Sequence, residues 1–336
     1  MNKFLSLTEA QRRTVFEQTA LRMRLPVETI EKDFWVTEML NILFSLPYAD
    51  KMVFKGGTSL SKVWGVIRRM SEDIDIAIDR SLFGIEGDVT KKQLKRLRKA
   101  SSVFVRDTLA IDLTEAVEKV GLSGFLTIQA DPDGEGDATY PEPRQIHIAY
   151  KSVLPSNEKS YLREEVLLEV GARSLFEPTA KAVVESFVAD TFPHLTSKEN
   201  DVQVAAALAE KTFLEKAFLL HELFSTEGCR NASRKSRHLY DICKMLNVGI
   251  AEKAIADDTL WETIRHHREV FTSIRGVDYT PDVRQRIVLF PPESVCEDWR
   301  NDYDTMVGNM IYEDRIPTFD EILADLVRIE GLFKGR

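Results

Sequence analysis

Two short stretches carry residues whose types and spacing suit phosphate chemistry: Phe54-Lys55-Gly56-Gly57-Thr58-Ser59-Leu60-Ser61-Lys62 and Ser71-Glu72-Asp73-Ile74-Asp75-Ile76. Adjacent glycines let a backbone turn sharply and come close to a ligand. A helix opening at Thr58 would present unpaired N–H groups and the positive end of its dipole, where a phosphate fits. Thr58, Ser59 and Ser61 add hydroxyl donors, and Lys62 adds a point charge. Asp73 and Asp75 are two positions apart, so on a strand both carboxylates leave the same face. Side by side they repel unless a cation lies between them, and hard oxygen ligands suit Mg²⁺. A phosphate cradle one short helix away from a divalent-metal pair is the equipment of nucleotidyl transfer. There, two metals about 3.5–4 Å apart activate the attacking oxygen and neutralise the leaving pyrophosphate. Glu169, in Val166-Leu167-Leu168-Glu169-Val170, is the candidate for a third acid on the metals. No Gly-Lys-Ser/Thr follows four residues after a first glycine, which disfavours a Walker-type loop.

Particular elements must position these groups. Met52-Val53-Phe54 reads as a strand ending at Gly56-Gly57, and Thr58 to Arg69 as a helix with Leu60, Val63, Trp64 and Ile67 on one face. Ile74, Ile76 and Ile78 alternate with Asp73, Asp75, Ala77 and Asp79, the pattern of a strand with one polar face. Gly-Gly before a helix is common, and so is Asp-x-Asp on an exposed strand. The order strand, turn, helix, strand makes the combination specific. Two helices precede it, the first entered through Ser6-Leu7-Thr8-Glu9 and the second at Pro26. After it come a long helix over about 90–120 and strands at Phe125 to Gln129, Gln145 to Tyr150 and Val166 to Val170, with an exposed loop over Asp131 to Arg144. Beyond Pro193 the pattern is helical: Val202 to Phe224, Ser233 to Leu246, Asp258 to Ser273 and Phe319 to Phe333. Pro193 and Ser197-Lys198-Glu199-Asn200 break the pattern, so two domains are expected, 1–195 and 196–336.

Composition excludes several classes. The 336 residues hold 45 Lys+Arg and 54 Asp+Glu, a net charge of −9, within the range of soluble globular proteins. No apolar run reaches the about 18 residues of a membrane span, and the N-terminus lacks the pattern of a secretory signal. Cys229, Cys243 and Cys296 are too few and too scattered for a disulfide framework or zinc cluster, so a cytoplasmic setting is expected. His266-His267 reads as a helix-surface pair. The acidic total argues only weakly against a nucleic-acid partner, because the cations are concentrated. Lys91, Lys92, Lys95, Arg96, Arg98 and Lys99 form one run without an acid; Arg230, Arg234, Lys235, Arg237 and His238 form another. Each is either a solvated helix face or a phosphate-contact strip.

At these residues the sequence resembles the DNA polymerase β-type nucleotidyltransferase superfamily, and more narrowly the AbiEii/AbiGii toxin family, to which the MenT toxins belong. The signature is Lys55 to Lys62 with Ser71 to Asp75. Glu31-Lys32-Asp33-Phe34-Trp35-Val36 resembles the family's entry helix. Lys211 to His221 resembles its helical lysine motif, and Arg237-His238-Leu239-Tyr240-Asp241-Ile242 its arginine-aspartate motif. Asp302-Tyr303 through Met306, and Pro317-Thr318-Phe319, fit as well, so the likeness covers most of the chain. Lys211 stands where an arginine is expected and keeps the charge.

The resemblance implies an α+β fold: a nucleotidyltransferase-type mixed sheet with flanking helices, followed by a helical domain. It implies Mg²⁺ (or Mn²⁺) and an NTP, a tRNA 3′ end or other RNA as acceptor, translation blocked as a result, and a separately encoded AbiEi-like antitoxin. By position, Asp73 and Asp75 would bind metal with Glu169, Gly56, Gly57, Thr58, Ser59 and Lys62 would hold the triphosphate, and Lys216 and Asp241 would complete the site. From the residues alone, Lys216 reads equally as a solvated lysine, and Asp241 as an i,i+4 ion-pair partner of Arg237. Two rival functions stay open: nucleotidyl transfer to a protein or small molecule, and a non-catalytic NTP-binding module.

Overall fold

Strand alternation and helix caps account for most of the architecture seen in the computed structural model, which describes residues 3–71, 73–155, 162–195 and 203–335. Glu72 and the 197–200 break lie outside the described residues. The chain divides into two compact units, Met1–Val63 with Ser71–Ala206, and Trp64–Met70 with Ala207–Arg336. The boundary read from sequence, at 195/196, lies earlier than this division.

In the first unit, α1 (Glu9–Met23) starts at Thr8, which forms a capping box with Gln11, and α2 (Val27–Leu43) starts at Pro26. Then follow β1 (Met52–Lys55), α3 (Gly56–Lys62), β2 (Asp73–Ile78), α4 (Lys91–Phe104) and α5 (Ala110–Lys119), the last two joined by a π-helical turn at Val105–Leu109. The remaining elements are β3 (Leu126–Ala130), β4 (Arg144–Tyr150), β5 (Glu165–Gly171), β6 (Thr179–Val183), α6 (Phe187–Thr191) and β7 (Gln203–Ala207).

The seven strands make one mixed sheet in the order β3-β4-β5-β2-β1-β7-β6. β2 runs parallel to β5 and antiparallel to β1, β4 is antiparallel to both β3 and β5, and β1 is parallel to β7. Alternation gives the sheet one apolar face: Phe54, Ile74, Ile76, Ile146, Ile148, Val166, Leu168 and Val170 are all buried. Helices α2, α4 and α5 pack against the sheet. Register places Arg144 opposite Val170 on that face, where its Nε donates to Ser102 Oγ of α4 at 2.9 Å. The candidate carboxylates leave the other face.

The second unit contains α7 (Ala209–Phe224), α8 (Ser236–Asn247), α9 (Ile250–Ala256), α10 (Asp258–Phe271), α11 (Cys296–Met310) and α12 (Phe319–Lys334). Its core gathers Phe213, Phe218, Trp261 and Phe333 around α7, with Phe224 against Trp299. His267 stacks on Phe271, and the three cysteines are free thiols. No helix among the described residues is long and apolar enough to cross a membrane.

The expected α+β class, a mixed sheet with flanking helices and a helical second half, is the one observed. Two local expectations are corrected. The helix expected to reach Arg69 stops at Lys62, and Gly65 then turns with φ +62°. Residues 64–70 instead form a strap in the second unit, where Met70 N donates to Met310 O at 2.7 Å and Tyr312 N to Arg68 O at 3.0 Å. The helix expected from Val202 begins at Ala209, and residues 203–207 are strand β7, with Val204 and Ala206 buried. A short Val-Ala-Ala-Ala run has no period by which to tell strand from buried helix.

Candidate active site

The catalytic candidates of the first unit are aligned by sheet register. Lys55 on β1 is the partner of Asp75 on β2, Asp75 is the partner of Glu169 on β5, and Glu169 is the partner of Gln145 on β4. Partners in register share a face, so these four side chains form one row across the sheet, with Asp73 on the same face two positions along β2. Lys55 Nζ lies 3.9 Å from Asp75 Oδ1, and Gln145 Nε2 donates to Glu169 Oε1 at 2.7 Å. Burial first, and the neighbouring Asp75 carboxylate second, raise the Glu169 carboxyl above its ordinary range; the Gln145 hydrogen bond works against them. Glu169, proposed from its place in an apolar run, thus lies beside Asp75. Lys55 and Gln145 are given no role by the sequence reading, yet pairing register exposes both.

The turn into α3 has a specific cause. Gly56 sits at φ +77°, and a β-carbon there would lie 2.0 Å from Asp75 Oδ2. Glycine is required twice, by backbone and by the carboxylate. Thr58 and Ser59 are buried. Thr58 Oγ1 donates to the Asp73 carbonyl and lies 2.9 Å from Ser71 Oγ, so it ties α3 to the start of β2. Ser59 Oγ is buried with no hydrogen-bond partner among the described residues. Lys62, expected as a phosphate cation, is paired with Asp33 of α2; both side chains are 7% exposed, and Asp33 also accepts from Phe187 N at 2.8 Å. The charge of Lys62 is therefore matched within the protein.

The remaining candidates lie in the second unit. Asp241, fully buried on α8, receives a two-pronged contact from Arg69: Nε to Oδ1 at 2.7 Å and Nη2 to Oδ2 at 2.8 Å. Lys216 of α7 places Nζ 3.0 Å from Asp241 Oδ2 and 3.2 Å from His238 Nδ1. Burial alone would raise the Asp241 carboxyl, but Arg69 and then Lys216 hold it well below the carboxylate range. Burial pushes Lys216 down despite Asp241, and pushes His238 well down, with Lys216 and Arg237 adding to the effect. In place of the i,i+4 pair with Arg237 that spacing offers as one reading, Asp241 is met by Arg69. Arg237 Nε is buried without a hydrogen-bond partner among the described residues. Two cations and one anion leave the cluster positive, with donor capacity to spare.

The two basic runs are placed differently. In α4, Lys91, Lys92, Lys95, Arg96 and Lys99 are exposed, while Arg98 donates to Tyr140 O at 2.6 Å. Because α4 packs over Arg144, this strip belongs to the sheet face opposite Asp75 and Glu169. In the second run, Arg230 pairs with Glu227, and Asp302 receives Arg234 N at 2.6 Å and Ser236 N at 2.9 Å, capping the start of α8.

A family model described as "Nucleotidyl transferase AbiEii toxin, Type IV TA system" matches residues 40–325. The chain therefore belongs to the AbiEii family of nucleotidyltransferase toxins. Among solved structures it is similar to MenT4, a nucleotidyltransferase toxin from Mycobacterium tuberculosis H37Rv, at 16% identity and a TM-score of 0.48, covering 97% of this chain and 98% of that one. No curated protein sequence matches.

Proposed function

We propose that this chain transfers a nucleoside monophosphate from an NTP to RNA, with a tRNA 3′ end as acceptor. The reaction would be Mg²⁺-dependent, cytoplasmic, restrained by an AbiEi-like antitoxin, and would arrest growth by blocking translation. The observation that carries this reading is the row Lys55–Asp75–Glu169–Gln145 with Asp73 beside it, next to a turn that admits only glycine at position 56.

The donor set fits a hard divalent cation. The Asp75 carboxylate beside Glu169 disfavours ionisation of Glu169, the situation a cation between them relieves. Among the described residues, no group of three or more His, Cys, Asp or Glu side chains is arranged to hold a metal by itself. Mg²⁺ is commonly held by one or two carboxylates and completed by substrate phosphates. Asp73, Asp75 and Glu169 are the candidate ligands, of which one or two at a time would hold it with substrate phosphates completing the shell. When bound it would lower the proton affinity of the attacking hydroxyl and offset charge on the leaving pyrophosphate.

In the transfer, the acceptor hydroxyl oxygen bonds to the α-phosphorus, the bond to the β-phosphate oxygen breaks, pyrophosphate leaves, and the hydroxyl proton passes to solvent. Gly56 and Gly57 let the backbone approach the triphosphate, and Ser59 Oγ is a spare hydroxyl at that turn. Lys55 offsets carboxylate charge. Lys216 supplies a cation for phosphate and Asp241 orients it. Incubation of the protein with labelled NTP and total RNA, and separately with cell protein, tests the acceptor. Label in RNA is expected, and label confined to protein would overturn the RNA assignment.

A further inference from the structure

Arg69 lies outside the motifs that carry the family likeness, yet it is among the largest side chains fully enclosed in the protein, 2% exposed. Its guanidinium is committed on three sides: Nε and Nη2 to the two oxygens of Asp241, and Nη1 to the Met70 carbonyl at 3.0 Å. The backbone carrying it is also fixed within the second unit. Arg68 N donates to Tyr240 Oη at 3.3 Å, and Trp64 Nε1 to Ala207 O at 3.0 Å; the pairing of 68–70 with 310–312 completes the anchorage.

A planar fork held on an immobile strap fixes a carboxylate at two points, which a lysine at 69 could not do. Asp241 Oδ2, oriented in this way, is the oxygen that meets Lys216. We propose that Arg69 is a positioning residue of the nucleotidyl transfer: it sets the plane of the Asp241 carboxylate and thereby the place of the Lys216 ammonium. The proposal rests on the roles given above to Lys216 and Asp241.

A purely structural buried pair needs one cation for one anion. Here a second cation shares Oδ2, and a third, Arg237, lies nearby with a buried Nε lacking a partner among the described residues. The groups acting on the cluster are Lys216 from α7, Arg237, His238, Tyr240 and Asp241 from α8, Arg69 from the strap, and Tyr312 with Glu313 from the segment paired to it. Arg69 is among the groups that depress Lys216, so its removal should return Lys216 toward ordinary lysine basicity.

The test uses the full chain as wild type, Arg69→Lys and Arg69→Gln, each checked for a cooperative thermal transition. Transfer of labelled NMP to total RNA gives kcat and KM. Acetic anhydride labelling of Lys216 against pH, read by peptide mass spectrometry, requires no activity. Arg69→Lys should lose about 10- to 100-fold in kcat with KM for NTP within about threefold, as expected for misplacement rather than lost binding. Arg69→Gln should move the Lys216 labelling midpoint upward. Folded Arg69→Lys with kcat within about threefold of wild type, or folded Arg69→Gln with an unmoved midpoint, would overturn the proposal. If Arg69→Gln does not fold, the kcat of Arg69→Lys decides. Wild-type protein that transfers to no acceptor defeats the functional reading, whereas the labelling midpoint still reads whether Arg69 tunes Lys216.

Discussion

Replacing Gly56 by Ala tests the geometry of the carboxylate row with a single methyl group. Two costs can be worked from the structure. The backbone at φ +77° is left-handed, which costs a non-glycine residue about 1–2 kcal/mol. The added carbon would sit 2.0 Å from Asp75 Oδ2 and 2.8 Å from its Cγ, while ordinary contact begins at 3.4 Å. The carboxylate must therefore retreat by about 1.4 Å, and misplacements near 1 Å cost about 10²-fold in rate. Gly84 supplies the control, since it has φ +65° with nothing within 4 Å of an added β-carbon. Thermal unfolding should report a loss of about 1–3 kcal/mol in both Gly56→Ala and Gly84→Ala. Transfer of labelled NMP should fall about 100-fold in Gly56→Ala alone. Folded Gly56→Ala within about threefold of wild-type kcat, or Gly84→Ala losing as much as Gly56→Ala, would refute the reasoning.

Asp73→Asn and Asp75→Asn should each reduce transfer at least about 100-fold and relieve growth arrest; arrest that persists unchanged in the double variant would point to non-enzymatic toxicity. Glu169→Gln should raise the melting temperature without divalent cation at neutral pH. The sign follows because the folded Glu169 carboxyl is raised, so its protonated form favours the folded state and that stability is lost as pH rises through its titration. The same variant should lose the stabilisation that Mg²⁺ gives wild type, and equal shifts in both would exclude Glu169 as a ligand. Glu142 has a carboxyl raised to about 7, chiefly by burial, against the nearby Ser101 hydroxyl and hydrogen bonds from the N–H groups of Ala172 and Arg173. Stability from it should decline as pH rises from about 4.5 to about 7, by at most about 3 kcal/mol, and Glu142→Gln should flatten that decline in pH-dependent melting.

What could be read from sequence divides by the range of the interactions. Alternation at Ile74, Ile76 and Ile78 and the Gly56-Gly57 break are local signals: the first marks a strand and its faces, the second the end of β1, while the extent of the helix that follows is set by Gly65 and the strap. Glu169 could be placed on a strand, but its position beside Asp75 depends on a parallel pairing between segments far apart in the chain. Helical spacing offers Arg237, at i−4, as one reading of the partner of Asp241. The residue that meets the carboxylate, Arg69, arrives from 172 positions away, and no periodicity reports such a contact. Lys62 and Thr58 suit phosphate by their chemistry, while their partners Asp33 and the Asp73 carbonyl appear only in three dimensions. The basic run on α4 was legible as a charged helix face, but sheet topology decides which side of the sheet it occupies.

The central claim is transfer of a nucleotide to the 3′ end of tRNA through the carboxylate row. Sequencing of tRNA 3′ ends after induction, for wild type beside the Asp73→Asn/Asp75→Asn double variant, tests it most directly. Added nucleotides on tRNA 3′ ends in wild type and unextended ends in the variant are the expected result. Unextended tRNA in growth-arrested wild-type cells, or extension that survives loss of both aspartates, would contradict it.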